Sequence, residues 1–384
     1  MSVEQLLPDE LLETIRGRAA GYDERNEFCH EDLEDLAATG YLKMFAPVDD
    51  GGLGFGLEQA AEAQTRLAAA APATALAVNM HLVWTGVANA LSSRGDSSLD
   101  YVLAEAAAGE VFAFGISEPG NDSVLFDSGT TAEPTGSGGY RFSGTKIFTS
   151  LSPVWTKLGV FGKDTSGGED SLVYGFVERS AGGYTIKEDW NTLGMRASQS
   201  CTTVLEGVEV PADRIFRKLP VGPNPDPLIF AIFATFETLL AAVYAGIGQR
   251  ALDLAVDAAH RRKSAKNDGR SYGQDPDVRR KVAGAAMAMD GLLAHISTTA
   301  AQVDALADHG QWWFPKLVSI KVHASHTARD VVDTAIRVSG GASYFRGSEL
   351  ERLYRDVLAG IFHPSNDDSA HATVANAWLG PVED

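Results

Sequence analysis

The chain has 384 residues, 45% of them apolar and 22% charged, a composition that supports two or three regions packed on a large core and excludes disorder for its bulk. A formal net charge of −19 at pH 7 would repel a phosphate backbone or an anionic membrane surface, so neither nucleic acid nor membrane partners are expected. Cys29 and Cys201, the two cysteines, have neither metal-ligand spacing nor a disulfide framework, and Met1–Glu10 is acidic with no apolar stretch of a leader, which points to the cytoplasm.

Residues 1–110 read as an all-α domain. Leu6, Leu7, Leu11, Leu12 and Ile15, then Leu33, Leu36 and Ala37, recur at helical spacing. Gly51-Gly52-Leu53-Gly54 interrupts them; it follows no strand and has the wrong spacing for a dinucleotide fingerprint, so it reads as a plain turn. Residues 111–220 change texture to short Val, Ile, Phe and Tyr runs between glycine-rich turns, a β domain. Pro220, Pro223, Pro225 and Pro227 mark the second boundary, and helical patterns over 228–264, 276–307 and 315–339 fill a C-terminal region, 221–384, of bundle length. The run Leu228–Gly248 is long enough to span a bilayer, but Glu237 in its middle favours a buried core helix. The dense basic cluster Arg261, Arg262, Lys263 and Lys266 fits one small anion better than a duplex.

Several segments stand in a telling order: Phe114-Gly115-Ile116-Ser117-Glu118-Pro119-Gly120, Gly144-Thr145-Lys146-Ile147-Phe148-Thr149-Ser150, Leu193-Gly194-Met195-Arg196, Val208-Glu209-Val210-Pro211, and Ser339-Gly340-Gly341 ahead of Arg355-Asp356. Together they resemble the signatures of the acyl-CoA dehydrogenase superfamily. The resemblance implies an α+β fold with an N-terminal helical domain, a middle β-barrel or sandwich and a C-terminal four-helix bundle. It also implies bound FAD and a homodimer or homotetramer. By carry-over, Phe114, Ile116 and Ser117 would line the flavin ring from one strand and Phe148 and Ser150 from another, Phe148 as an aromatic wall. Ser123 would help hold phosphates. Arg262 and Ser264 match positions that hold the pyrophosphate across a subunit boundary, and Arg337 stands where a glutamine is usual, just before Gly340 and Gly341.

The implied reaction is α,β-dehydrogenation of an acyl thioester, on CoA or a carrier protein, with a carboxylate removing the α-proton. Here the glutamate that most members carry after Arg-Asp is replaced by His363-Pro364. Three readings stay open. Glu237, on a helical face with Phe230, Phe233, Leu240 and Tyr244, is a relocated base or a structural buried carboxylate. His363 is itself a base or hydrogen-bond donor. Alternatively, the chain is an oxygenase like the dibenzothiophene monooxygenases and amino-sugar nitrososynthases of this fold, which lack the glutamate and use reduced flavin and dioxygen. Its partner is then a flavin reductase, and otherwise an electron acceptor that the sequence does not identify. His81 is a further polar candidate, read first as a core histidine. Asn121 and Asp122 depart from the usual Gly-Ala-Gly-Ser-Asp loop and put an ordinary CoA pose in doubt.

Overall fold

The computed structural model of the protein describes residues 1–265 and 268–382. Six helices come first: α1 (Val3–Leu6), α2 (Asp9–Arg25), α3 (His30–Thr39), α4 (Leu57–Ala70), α5 (Pro72–Ser92) and α6 (Asp100–Ala107). Their periodic apolar positions point inward, and Leu6, Leu12, Ile15 and Leu36 are buried. The glycine segment at 51–54 is a turn leading into α4. Trp84 on α5 donates its indole N–H to the Ala113 carbonyl at 3.0 Å, fixing the helical domain to the first strand.

One mixed eight-stranded sheet follows: β1 (Phe112–Gly115), β2 (Thr131–Pro134), β3 (Tyr140–Thr149), β4 (Lys157–Asp164), β5 (Ser171–Glu178), β6 (Tyr184–Ile186), β7 (Cys201–Val210) and β8 (Ile215–Pro220). The order is β6-β7-β3-β2-β4-β5-β8, with β1 joined parallel to β4. β4 and β5 are covered on both faces and are correspondingly apolar between their charged or polar ends. The antiparallel ladder of β3 and β7 breaks between Lys146 and Thr149, so Ile147 and Phe148 form a bulge.

The C-terminal bundle is built on α7 (Pro227–Arg261), α8 (Pro276–Asp304) and α9 (Trp313–Ser339), with the ribbon β9 (Lys263–Ser264) and β10 (Arg270–Ser271) between the first two, and α10 (Glu349–Val357) and α11 (Asp367–Leu379) behind. Asp226 caps α7 by accepting the Leu228 N–H at 2.8 Å, and Pro227, expected to lie in the linker, opens the helix where its missing N–H is harmless. The helix stops at Arg261, short of the 228–264 pattern, because Arg262 turns extended with φ −75° and ψ 139°. Similarly, α8 stops at Asp304 instead of 307, its last turn closed by the Ala305 N–H on the Ala301 carbonyl. α7 is long and apolar enough to cross a membrane, yet 83% of its most apolar stretch is buried inside the protein, where α4, α5, α8 and α9 surround it.

Candidate functional site

The β domain gathers the first group of expected residues. Phe114 is buried and its ring stacks on Phe236 of α7 at 5.6 Å, with Trp84 at 5.2 Å on another side. Ile116 is buried beside it, and the Ser117 carbonyl accepts the Ile147 N–H at 2.9 Å, which joins the end of β1 to the β3 bulge. The bulge re-aims Phe148 out of the sheet: its backbone has φ +58°, its side chain is 53% exposed, and it meets Trp190 edge-on at 6.2 Å. Ser150 is buried at the end of a chain of hydroxyls, with Ser200 Oγ at 2.7 Å and Ser198 Oγ 2.8 Å beyond. The adjacent Thr149 hydroxyl is buried with no partner among the described residues. Ser123 lies apart, exposed on the loop after Gly120.

Two residues of the same motifs have a different task. Glu118 accepts from Lys146 Nζ at 2.6 Å, from the hydroxyls of Ser128 and Thr130, and from the Gly129 and Thr130 N–H groups. Burial resists its ionisation, but the Lys146 ammonium and the hydroxyl donors outweigh burial and hold the carboxyl down at about 2. The Asn121 amide donates to Glu118 and to the Asp127 carbonyl, closing the departing loop on itself. This pair is the brace that holds the loop to β3.

The second group sits on the bundle. Arg262 donates to the Val338 carbonyl at 2.5 Å, lies over the Tyr272 ring at 4.5 Å, and packs on Gly340, where a Cβ would stand 2.9 Å from the guanidinium. With Arg261, Ser339 and Ser343 it lines a cleft of about 470 Å³. Ser339 Oγ is buried there without a partner among the described residues. Ser264 is buried on β9 just behind, and Gly341 leaves open space beside its Cα. Arg337 is not gathered into this cleft: it is exposed and holds Asp333 at 2.6 Å. Lys266 of the basic cluster lies outside the described residues.

The third group surrounds the turn at 360–365. Lys321 of α9 is buried and donates to the carbonyls of Gly360, His363 and Ser365 at 2.9, 2.9 and 2.8 Å. Glu237 of α7 accepts the Ser365 N–H at 3.1 Å and the Ser365 hydroxyl at 2.9 Å through Oε1, while Oε2 has no partner among the described residues. Burial raises the Glu237 carboxyl to about 7, against the pull of Lys321. The His363 ring lies 5.8 Å from Tyr244, and its Nε2 is buried without a partner among the described residues. Burial, helped by Lys321, lowers His363 to about 3, so the ring is neutral. Neighbouring residues on a helix diverge by about 100°. Phe236 therefore faces β1 while Glu237 faces the core. His81 is structural: it donates from Nε2 to the Leu42 carbonyl at 2.7 Å and accepts the Phe112 N–H at Nδ1.

Sequence reasoning overlooked Phe236, Ser200, Lys321 and Ser365. A signal existed for Lys321, a lone cation among the inward positions Leu317, Ile320 and Ala324. Nothing local marked the others.

The fold and these groups coincide with known proteins. The family model "Acyl-CoA dehydrogenase, N-terminal domain" matches residues 5–99, and "Acyl-CoA dehydrogenase, C-terminal domain" matches 238–368. The chain belongs to the acyl-CoA dehydrogenase family. Within it, the chain is 31% identical over 369 residues to L-evernosamine nitrososynthase of a Micromonospora species, covering 91% of this chain and 83% of that one. It is 28% identical over 381 residues to a putative acyl-CoA dehydrogenase of Bacillus subtilis, covering 94% and 92%. A solved structure of KijD3 in complex with FMN and dTDP-3-amino-2,3,6-trideoxy-4-keto-3-methyl-D-glucose superposes with a TM-score of 0.85 at 28% identity, covering 98% of this chain and 92% of the other. The relatives thus carry the names of a nitrososynthase and of a putative acyl-CoA dehydrogenase.

Proposed function

We propose that this protein is a flavin-dependent oxygenase that places one atom of dioxygen on a heteroatom of a small organic substrate, an amine nitrogen in the first instance, with reduced flavin delivered by a separate reductase. The observation that carries this reading is the face of α7 that meets β1. It presents Phe236, stacked on Phe114, while Glu237, one residue on, reaches the 360–365 turn and gives Oε1 to the N–H and hydroxyl of Ser365. The turn that bears a glutamate in most dehydrogenases has His363-Pro364. Removing an α-proton needs a base in contact with that carbon, whereas a nitrogen lone pair attacks electrophilic oxygen without one. The likeness to a nitrososynthase and to the KijD3 complex supports the same direction.

The residues fit a flavin. Phe148 offers an exposed aromatic face beside the buried hydroxyls of Ser150 and Thr149, the mixture of apolar wall and hydrogen-bonding edge that an isoalloxazine requires. When bound and reduced, the flavin supplies two electrons that divide dioxygen, so that an amine, dioxygen and reduced flavin become a hydroxylamine, water and oxidised flavin. Ser200 and Ser198 orient the Ser150 hydroxyl toward that edge. Phe114, Ile116 and Phe236, packed with Trp84, would keep water from the ring. His363 keeps a neutral ring nitrogen, without a partner among the described residues, for a hydrogen bond to a ligand. The KijD3 complex favours FMN. FAD would add a second phosphate and an adenosine, for which the cleft lined by Arg261, Arg262, Ser339 and Ser343, with Gly340 packed against Arg262, would be the receiving site, on the neighbouring subunit's cofactor by family resemblance.

The test is to supply reduced FMN or FAD, isotopically labelled dioxygen and a panel of amines that includes amino-sugar nucleotides. The expected result is a product carrying one labelled oxygen atom. Anaerobic mixing of the flavin-loaded protein with acyl-CoAs is expected to leave the flavin oxidised. Bleaching by any acyl-CoA would overturn the oxygenase reading for desaturation of an acyl thioester, the alternative that the Bacillus relative supports.

A further inference from the structure

The turn at 360–365 is held by two charged side chains from opposite sides, with neither charge exposed. Lys321, 1% exposed, spends all three ammonium protons on carbonyls of this one turn, and Glu237, 2% exposed, takes the N–H and the hydroxyl of Ser365. Past the 3-10 turn Leu358–Ile361 this segment has no helix or ladder to satisfy its backbone until α11, so its polar atoms must be matched by other groups. The two helices are well placed to do so. Glu237 and Tyr244 are seven residues apart on one face of α7, a rise of about 10 Å. The turn lies along that face, with Ser365 at the Glu237 end and Gly360 so close to Tyr244 that a Cβ at Gly360 would stand 3.1 Å from its ring. Lys321 closes the turn from α9, and Ser325, one turn further along, also donates to the Gly360 carbonyl.

We infer that Glu237 and Lys321 are positioning residues, a clamp from α7 and α9 that fixes the 360–365 turn and through it aims His363 at the bound substrate. Two buried ionisable side chains are a costly way to fold a turn, and an apolar pair of similar volume would often serve stability as well. What apolar residues cannot supply is three donors, and an acceptor oxygen that takes two bonds from Ser365, at fixed points along this segment. The clamp therefore buys placement of His363. It gives Glu237, the carboxylate that the sequence offered as a base, a positioning task through Oε1.

The inference rests on the oxygenase reading for its catalytic arm and on the geometry alone for its structural arm, so the experiment reads both. Hydrogen–deuterium exchange of the 360–366 amides is measured on the full chain for Lys321→Met, Glu237→Leu and Glu237→Gln, alongside product formed per dioxygen consumed. Lys321→Met and Glu237→Leu are expected to speed exchange in that segment by roughly tenfold or more. They should also lower product per dioxygen by roughly fivefold or more, the balance appearing as hydrogen peroxide, while flavin affinity by fluorescence quenching stays within about twofold. Glu237→Gln keeps an oxygen for both Ser365 bonds and is expected to restore most of both properties. If Lys321→Met folds poorly, Ser365→Ala removes a single hydroxyl bond and should give a smaller change of the same kind. Unchanged exchange in these variants, or a loosened turn with full coupling, overturns the clamp. A wild-type protein that oxygenates no amine, in which the exchange differences nevertheless appear, overturns the oxygenase reading and leaves the structural clamp standing.

Discussion

At the scale of the residue, two buried carboxylates of this chain behave in opposite ways. Glu118 is held near 2 because Lys146 and several donors converge on it, and Glu237 is raised to about 7 because burial outweighs what Lys321 and Ser365 return. Lys146→Met leaves Glu118 charged, buried and one partner short, so unfolding by urea is expected to show a loss of about 3–5 kcal/mol. Glu237 has the reverse linkage. Its folded-state value lies above the ordinary 4.5, so the folded protein holds this proton more tightly than the unfolded chain does. The corresponding stability is complete below about 4.5 and is lost as pH rises through about 7. Relative to Glu237→Gln, the wild type should therefore lose on the order of 2–3 kcal/mol between pH 4.5 and 8, read by thermal melts across that range. Parallel pH profiles for the two proteins would refute the assignment.

At the scale of the element, the bulge in β3 and the end of α9 do the shaping. A regular β3 would send Phe148 into the ladder with β7; the bulge turns it to solvent at φ +58°. Phe148 contributes little to the core, and Phe148→Ala should leave stability within about 1 kcal/mol while weakening flavin binding roughly tenfold or more, measured by quenching of flavin fluorescence. α9 ends on Gly340, whose φ of +73° and contact with the Arg262 guanidinium leave no room for a side chain. Arg262→Ala is expected to weaken FAD roughly tenfold and FMN by less than about twofold, since only FAD extends to a second phosphate. Equal losses for the two flavins would place Arg262 elsewhere in the binding scheme.

At the scale of the whole molecule, large apolar groups remain uncovered near the C-terminus: Tyr344 is 90% exposed, Phe345 73%, Phe362 74% and Trp378 72%. Large exposed apolar groups are a recurrent feature of surfaces that meet another chain. Light scattering after size exclusion is expected to give a mass of two or four times 40.8 kDa, and Phe345→Glu to shift it toward the single chain. A wild-type protein that elutes as a monomer would remove the expectation that Arg262 serves a neighbouring subunit.

The order of helices, sheet and bundle was legible in the sequence because periodicity and turn residues are local signals, and the ordered motifs from Phe114 to Asp356 carried the family. The missing glutamate at His363-Pro364 was equally plain. What the linear pattern did not decide was the azimuth of α7. Periodicity groups Phe233, Glu237, Leu240 and Tyr244 on a common face, but which neighbour that face meets depends on how the helix is rotated in the bundle. A single residue step, about 100°, separates a carboxylate beside the reaction from one bound to Ser365. Packing against β1 and α9 fixed that rotation, setting Phe236 on Phe114 and Glu237 on Ser365. The partners of Glu237 lie 84 residues away in Lys321 and 128 away in Ser365, separations at which only the assembled core brings side chains together.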